Sequence, residues 1–222
     1  MSRQNVYLGP SEIVEGRPFT NPESSLQDVA TLQYMADKLG YLLHLLESII
    51  DRSRSALLYL QEVGRRYHRV AVSQPEALLS GQTGLSVVGF CGHKRPGVDR
   101  GPIDAVDEVL IAEFAQHPHL LSYSTLQLES GNSCNLVLFS RPQGVTHWAT
   151  SAKHAQAVAL SPDYYLTIRL HNAILPGGLR SGNRLILTRT KYYDYAHEPI
   201  WWAVRELEPV VDWRALGSMK ER

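Results

Sequence analysis

The amino-terminal third of the chain carries one long amphipathic pattern. Apolar residues recur there at steps of three, four or seven, which places them on one stripe of an α-helix. They are Leu26, Val29, Leu32, Ala36, Leu39, Leu43, Leu46, Ile50, Leu57, Leu60 and Tyr67. Because no proline lies between Glu23 and Arg69, the pattern predicts one long helix, or two helices hinged near residues 51–53. Such a helix either packs on its own domain or dimerises through its apolar stripe.

The segments that flank this pattern are rich in turn-forming residues. Residues 1–22 contain Gly9-Pro10 and Pro18 and show little periodicity, so they predict an irregular arm. Residues 73–84 contain Gln74-Pro75 and predict a linker. Residues 1–80 are therefore expected to form an arm followed by a long helix or helical hairpin.

Shorter apolar and alternating runs follow Gly84. Acidic residues near residue 104 favour the positive end of a helix, and Ser161-Pro162-Asp163 is typical of a helix start. Residues 129–133 have the composition of a hairpin turn. The predicted elements are strands at 85–91, 121–128, 135–139 and 184–190, and helices at 103–116, 145–160 and 161–172.

The order of these elements is strand, helix, strand, strand, helix, strand. This order predicts an α+β fold of the ferredoxin-like βαββαβ type over residues 84–195, preceded by the long helical extension. Residues 196–222 continue as a tail, and the stretch from Tyr192 to Trp202 is rich in aromatic residues. This aromatic segment is expected either to cover a sheet edge or to contact a second chain.

Charge and composition exclude some classes of protein. The chain has 22 basic and 22 acidic residues, whereas a protein that grips a nucleic-acid backbone needs surplus Lys and Arg. The basic run from Arg52 to Arg69 is therefore interpreted as a solvated helix face, and nucleic-acid binding through it is the weaker alternative. The sequence has no apolar run of the ~20 residues that cross a bilayer, and it has no signal-peptide pattern. Cys91 and Cys134 lack metal-ligand spacing, so both are expected to be reduced thiols in a cytoplasmic protein.

Residues with chemical potential concentrate between His147 and Asn172. On a single helix His147 and His154 would share a face about 10.5 Å apart, too far to hold one metal ion together. His154 has small alanine neighbours and is the better candidate for an acid, a base or a haem ligand. Trp148 is expected either in the core or as a flat wall for an aromatic ligand.

The predicted helix 161–172 adds further polar candidates. Tyr165, Arg169 and Asn172 would form one stripe, and Tyr164, Ile168 and His171 another. The apolar neighbours of Arg169 predict partial burial, so its guanidinium needs an anionic partner. That partner is either a protein carboxylate such as Glu129 or a carboxylate of a ligand.

The element order, the tight hairpin, and Trp148 followed by His154 before the last strand resemble the antibiotic-biosynthesis-monooxygenase group of the dimeric α/β-barrel superfamily. The resemblance covers about half of the chain and implies a homodimer formed by two sheets. It also implies a pocket between each sheet and its helices. Cofactor-free and haem-degrading members use an Asn–Trp or Asn–Trp–His constellation with the Asn on the first strand. The predicted first strand here, Leu85 to His93, contains no asparagine.

The resemblance implies an oxidoreductase or monooxygenase that acts on an aromatic or polycyclic small molecule, either without a cofactor or with haem. In this hypothesis His154 is the acid, base or axial haem ligand and Arg169 anchors an anionic group. Trp148, Tyr165, His171, Asn172 and His147 would line the pocket. The alternative is a non-catalytic dimeric protein that uses its amino-terminal helix to bind a partner.

Overall fold

The computed structural model describes residues 6–46, 51, 54–62, 67–80 and 84–207. In chain order the elements are β1 (Val6–Tyr7), α1 (Pro22–Leu46), β2 (Ala56–Gln61), β3 (Tyr67–Val72), α2 (Pro75–Leu79), β4 (Gly84–Lys94), α3 (Gly101–Glu113), β5 (Leu120–Gln127), β6 (Ser133–Phe139), α4 (Pro142–Ala149), α5 (Ala152–Tyr164), β7 (Tyr165–Pro176), β8 (Ile186–Asp194) and β9 (Trp201–Glu206). The α+β class predicted from the sequence is confirmed.

The described strands form one mixed sheet in the order β1-β9-β8-β7-β4-β6-β5-β3-β2. Every neighbouring pair is antiparallel except β1 and β9. In the centre of the sheet, α3 connects β4 to β5, a tight hairpin connects β5 to β6, and α4 and α5 connect β6 to β7. The predicted strands at 85–91, 121–128 and 135–139 and the helix at 103–116 are confirmed, with shifts of a few residues at their ends.

The central strand β4 separates two interiors. Side chains on a strand alternate between faces, so Leu85, Val87 and Cys91 belong to one apolar cluster. Val88 packs against a second cluster and Phe90 against a third. The first cluster contains residues of α1, whereas the other two contain residues of α3, α4 and α5. The sheet is therefore covered by helices on both faces.

Helix α1 covers the first face with the middle part of its predicted stripe, whereas Leu26 at the start of that stripe is exposed. The side chain of Asn21 accepts a hydrogen bond from the backbone of Glu23 at 2.9 Å and caps the start of the helix. The buried stripe consists of Leu32, Met35, Ala36, Leu39 and Leu43, all of which pack within the chain. Of the two interpretations of this helix, packing on its own domain is confirmed. None of the described helices combines the length and hydropathy needed to cross a membrane.

The prediction of helix beyond residue 55 is wrong. Residues 56–61 and 67–72 are the strands β2 and β3, which pair with each other and extend the sheet from β5. Leu57 and Leu60 match helical spacing, but the residues of β2 alternate between exposed and half-buried positions, as a strand requires. Sheet pairing overrode the helical pattern here. The hinge predicted near 51–53 lies largely outside the described residues, and the predicted linker at 73–84 contains the short helix α2.

The predicted helix at 161–172 is also wrong, because Tyr165–Pro176 is the strand β7. Ser161 and Pro162 lie in the last turns of α5 instead of starting a new helix, and the Ser161 hydroxyl donates to the Ala157 carbonyl at 3.3 Å. The strand pairs with β4 on one side and β8 on the other. The region 145–160 likewise forms two helices, which are separated by Thr150 and Ser151.

The last predicted strand, at 184–190, corresponds to β8, which follows β7 and lies outside the central four strands. The described part of the predicted tail forms β9, which pairs with β8 and therefore covers the sheet edge at that strand. The buried Arg205 of β9 donates to the carbonyls of Gly9 and Thr20, each at 3.0 Å, and so fixes the arm to the sheet. Residues 208–222 lie outside the described chain.

The contact of α1 with β4 generates a stability prediction. A Cβ added at Gly89 would lie 2.2 Å from Cδ1 of Leu32, so Gly89→Ala should lower the free energy of unfolding by about 1–3 kcal/mol. The double variant Gly89→Ala/Leu32→Ala should be less destabilised than the sum of the two single variants, because the truncation removes the clashing atoms. Urea denaturation of the four proteins measures this coupling.

Gly84→Ala on the same strand is the matched control, since its added Cβ would meet only the Leu175 carbonyl oxygen at 3.7 Å. Strictly additive effects of the Gly89 and Leu32 substitutions would contradict the placement of α1 on this face.

Candidate functional site

A cavity of about 560 Å³ lies between the sheet and helices α3 and α5. Its position follows from strand alternation, because β4, β5 and β6 each contribute the side chains that point away from α1. The apolar part of its lining is dominated by Val88, Phe90, Ile103, Tyr123, Trp148, Tyr165 and Ile168. A concave site of this size and character is the usual setting for a small organic ligand.

A polar cluster forms part of the lining. Arg69 of β3 is ion-paired with Asp107 of α3 and also donates to Thr125 Oγ1 at 3.3 Å. Tyr123 Oη donates to Asp107 Oδ1 at 3.1 Å and accepts from Asn135 Nδ2 at 2.8 Å. Three strands and one helix thus bring together one cation, one anion, a hydroxyl, a phenol and an amide.

The cluster retains unused hydrogen-bonding capacity. Nε of Arg69 and Oδ1 of Asn135 are buried and have no hydrogen-bond partner among the described residues. A buried polar atom without a partner is costly, so this donor and this acceptor are suited to a water molecule or a ligand group. Burial and the neighbouring Asp107 carboxylate raise the pKa of Tyr123 well above its usual range, so its phenol keeps its proton.

His154 lies at the start of α5 and lines the same cavity. Its backbone N–H donates to Ser151 Oγ at 3.2 Å, which is a serine N-cap. Burial lowers the pKa of the imidazole, although the Ala149 backbone partly opposes this shift; His117 adds to the lowering. The ring is therefore neutral at pH 7 and able to accept a proton.

Trp148 combines the two roles expected for it. Its ring centre lies 5.4 Å from that of Phe114 and 5.4 Å from that of His154, and its indole is buried while lining the cavity. His147, in contrast, is exposed and lies outside the lining, with its ring centre 5.7 Å from that of His117. The break between α4 and α5 removes the shared helical face predicted for His147 and His154.

The candidates on β7 are divided between the two faces of the sheet. Tyr165 lines the cavity and packs edge-to-face on Phe90, and burial raises its pKa. Asn172 lies on β7 outside the lining, and its carbonyl accepts from Thr188 Oγ1 at 3.0 Å. Arg169 and His171 point to the opposite face, towards α1. The structure thus brings Trp148, His154 and Tyr165 together and separates the other four candidates from them.

The anion that Arg169 needs is Asp28 of α1, not Glu129. Arg169 donates through Nε and Nη2 to the two carboxylate oxygens of Asp28 at 2.5 and 2.9 Å, and Nε2 of His171 lies 2.9 Å from Oδ2. Burial alone would raise the pKa of Asp28, but the hydrogen bonds from His171 and Arg169 outweigh burial and lower it. Arg169 is therefore neutralised within the chain.

Sequence reasoning missed most of the polar cluster. Arg69 ends the run that is interpreted as a basic helix face, and Asp107 is one of the acidic residues near residue 104 that are expected at the positive end of a helix. The signal that could have identified Tyr123 and Asn135 is the alternation on β5 and β6, which places both on one face of the sheet. Their contact with Arg69 and Asp107 depends on the pairing of β3 with β5, which the helical prediction for residues 56–69 concealed.

No protein-family model matches the sequence, and no curated protein sequence matches it. Among solved structures, the chain is similar to a monooxygenase-like protein from Listeria innocua at 14% identity, over 62% of this chain and 86% of that chain, with a TM-score of 0.32. It is also similar to a haem-degrading enzyme from Listeria monocytogenes at 13% identity, over 61% of this chain and 92% of that chain, with a TM-score of 0.31. Similarities at this level assign neither a family nor an activity.

The lowered pKa of His154 generates a prediction about stability and pH. Because the unfolded state binds the imidazole proton more tightly, the contribution of this residue is intact above its ordinary pKa of about 6.5 and falls as the pH drops below that value. Burial lowers the pKa of His68 and His117 in the same direction. The free energy of unfolding should therefore decrease from pH 7 to pH 5, and less steeply in His154→Asn.

Urea denaturation at several pH values measures this slope. Val158→Ala, which changes an apolar residue of the same helix and cavity lining, should keep the slope of the unsubstituted protein. A slope that His154→Asn leaves unchanged would contradict the burial of this imidazole.

Proposed function

We propose that this chain binds an uncharged aromatic or polycyclic small molecule that carries a hydroxyl or keto group. The observation that carries the proposal is the 560 Å³ cavity, whose aromatic walls adjoin a polar cluster with unused hydrogen-bonding capacity. Phe90, Trp148 and Tyr165 offer flat apolar surfaces to a ring system. Arg69 Nε can donate to a ligand oxygen, and Asn135 Oδ1 can accept from a ligand hydroxyl, once these side chains adjust towards the cavity.

The charges of the lining favour an uncharged ligand. Three basic residues, Arg69, Lys94 and Arg100, face the cavity together with three acidic ones, Asp104, Asp107 and Glu108. Arg69 is ion-paired with Asp107, and Arg100 donates to Asp104 Oδ1 at 3.1 Å. Lys94 donates to the Gly131 carbonyl at 2.8 Å. A ligand with a net charge would have to compete with these internal contacts.

We further infer an oxidoreductase of the monooxygenase type, within a ferredoxin-like βαββαβ layout formed by β4, α3, β5, β6, the α4–α5 pair and β7. The antiparallel order β7-β4-β6-β5 supports this layout. His154 is proposed as the general base that takes a proton from the bound hydroxyl, since its neutral imidazole faces the cavity. The phenolate produced in this way is more easily oxidised by molecular oxygen than the phenol. Arg169, His171, Asn172 and His147 have no part in this proposal.

Haem fits this lining poorly. His154 offers one neutral imidazole as an axial ligand. The two haem propionates, however, need cationic partners. Both arginines of the lining already have carboxylate partners, and Lys94 offers a single cation for two propionates. Asp104, Asp107 and Glu108 would in addition repel the propionates. The proposed reaction therefore does not involve haem.

The homodimer and the cytoplasmic location stay predictions. The family resemblance would imply a dimer in which the sheets of two chains associate. Helix α1 covers the sheet at β4 and β6, so two chains cannot associate through that part of the sheet face. A dimer would need another surface. The alternative function, a protein that binds partners through its amino-terminal helix, is disfavoured because the apolar stripe of α1 is already buried.

The cavity predicts selective binding of a polycyclic phenol. 1-Naphthol should bind the unsubstituted protein more tightly than naphthalene, because its hydroxyl can engage Asn135. The variant Asn135→Leu should weaken binding of 1-naphthol by about threefold to tenfold, the loss expected for one hydrogen bond. Isothermal titration calorimetry or tryptophan fluorescence measures these affinities.

Naphthalene is the control ligand, and its affinity should be unaffected by Asn135→Leu. Equal effects of this variant on both ligands, or no binding of either one, would contradict the proposed site.

An oxygen electrode measures the reaction on the same samples. Conversion of 1-naphthol and O₂ to 1,4-naphthoquinone and water should be lost in His154→Ala, while binding persists. Turnover equal to that of the unsubstituted protein would remove His154 from the role of base.

Because the arginines of the cavity lining are already paired with carboxylates, we expect that the protein does not take up haem. Addition of haemin to the purified protein should leave the absorption spectrum equal to that of free haemin plus protein. A sharp Soret band that disappears in His154→Ala, but persists in the exposed control variant His147→Ala, would overturn this expectation and make His154 an axial ligand.

A further inference from the structure

A second cluster of reactive side chains lies on the α1 face of the sheet, opposite the cavity. It contains Asp28 of α1, Cys91 of β4 and Cys134 of β6. One ligand-type atom from each residue, a carboxylate oxygen and the two Sγ atoms, lies within 4.8 Å of the others. None of these residues takes part in the proposed oxidation at the cavity. The two cysteines are far apart in the sequence, so the fold brings them together.

The sheet register brings the two cysteines together. Cys91 and Cys134 are direct partners in the antiparallel pairing of β4 with β6, and side chains in that position project from the same face. Asp28 lies beside the cysteines on the α1 side of the sheet. Its hydrogen-bond partners Arg169 and His171 lie on β7, the strand next to β4, and they hold it there. Cys91, Cys134 and Asp28 are only 7%, 1% and 7% exposed, so all three ligand groups are held within the protein.

A small cavity of about 70 Å³ connects to this cluster. Its lining includes Asp28, Cys91 and Cys134 together with Arg169, Asn132 and Thr167. The volume suits an ion or a few water molecules and excludes an organic ligand. The cluster therefore borders a space that a small species can occupy.

Asp28 keeps one position for a further contact. A carboxylate offers about four lone-pair sites, and three are taken: Oδ2 accepts from Arg169 Nε and His171 Nε2, and Oδ1 accepts from Arg169 Nη2. No residue in the described part of the chain occupies the remaining lone pair of Oδ1. The other ring nitrogen of His171 lies 3.0 Å from Thr190 Oγ1, so both nitrogens are engaged and the imidazole orients the carboxylate. Ligating carboxylates in metal sites are typically held by such outer hydrogen bonds.

Charge balance also favours a divalent cation. In the metal-free protein the Asp28 carboxylate is ion-paired with Arg169. When a divalent ion binds two cysteines as thiolates, both thiol protons are released. The two positive charges that the ion brings therefore equal the two that leave with the protons. The total charge of this buried site is then unchanged. No new charge would have to be compensated inside the protein.

We propose that Cys91, Cys134 and Asp28 form a binding site for a thiophilic divalent cation of the zinc class, with the fourth coordination position facing the small cavity. Two thiolates select soft or borderline metal ions over magnesium or calcium. Three protein ligands with one open position are compatible with tetrahedral zinc. Arg169 and His171 are positioning residues that hold the Asp28 carboxylate.

Cobalt(II) is the spectroscopic probe that tests this site. The full-length protein, reduced with a phosphine and freed of metal, should bind one Co²⁺ per chain. Binding should produce sulfur-to-cobalt charge transfer in the near ultraviolet and the visible bands of tetrahedral cobalt. In weakly buffered solution close to two protons should be released per ion, and equimolar Zn²⁺ should abolish the bands.

The variants Cys91→Ala and Cys134→Ala should each lose the charge-transfer band, whereas Ser122→Ala, a buried small side chain on β5, should keep it. If a cysteine variant fails to fold, the unsubstituted protein still decides, because Zn²⁺ should raise its melting temperature in a concentration-dependent manner. Absence of the band and of this stabilisation in the reduced protein overturns the proposal. A band that survives both cysteine substitutions overturns it as well.

Discussion

Side chains on a strand alternate between the two faces of a sheet, and in this protein both faces are covered by helices. Consecutive residues of each central strand therefore contribute side chains to two different interiors, one on each face of the sheet. On β4, Val88 and Phe90 line the aromatic cavity, while Val87 and Cys91 belong to the interior under α1. The candidate ligand cavity and the candidate metal site thus both arise from the alternation of side chains between the two faces of the sheet. They lie back to back across a single layer of backbone.

Covering both faces changes what the sheet can do. A sheet with one free face can associate with another sheet, but α1 packs an apolar stripe onto that face here. The contact is tight enough that Gly89 has no room for a side chain beside Leu32. The chain therefore buries within itself an apolar surface that a barrel-forming protein would bury between subunits. Its amino-terminal helix is a structural layer of the domain.

The sequence predicted elements well where a single local pattern dominated. The strands at 85–91, 121–128 and 135–139 and most of the stripe of α1 were found because each has a regular apolar run or period. Residues 56–61 were misassigned because Leu57 and Leu60 satisfy a helical period by chance, and residues 165–172 because Ser161-Pro162-Asp163 imitates a helix start. The candidate site was predicted only in part. Trp148, His154 and Tyr165 were found, whereas the contacts of Arg69 with Asp107 and of Cys91 with Cys134 arise from pairing between distant segments, which no local spacing encodes.

The buried contacts of Asp28 with Arg169 and His171 favour the observed register of β7 over shifted ones. A slip of β7 by one residue would turn Arg169 and His171 towards the cavity face, since the side-chain period of a strand is two. Asp28 would then be buried without a cation or a hydrogen-bond donor, and removing one partner of a buried ion pair costs about 3–5 kcal/mol. The same slip would place apolar Ile168 and Leu170 beside the carboxylate. The Asp28 cluster thus contributes to the specificity of the fold even if the net stabilisation from the ion pair is small, because a one-residue slip leaves a buried carboxylate unpaired.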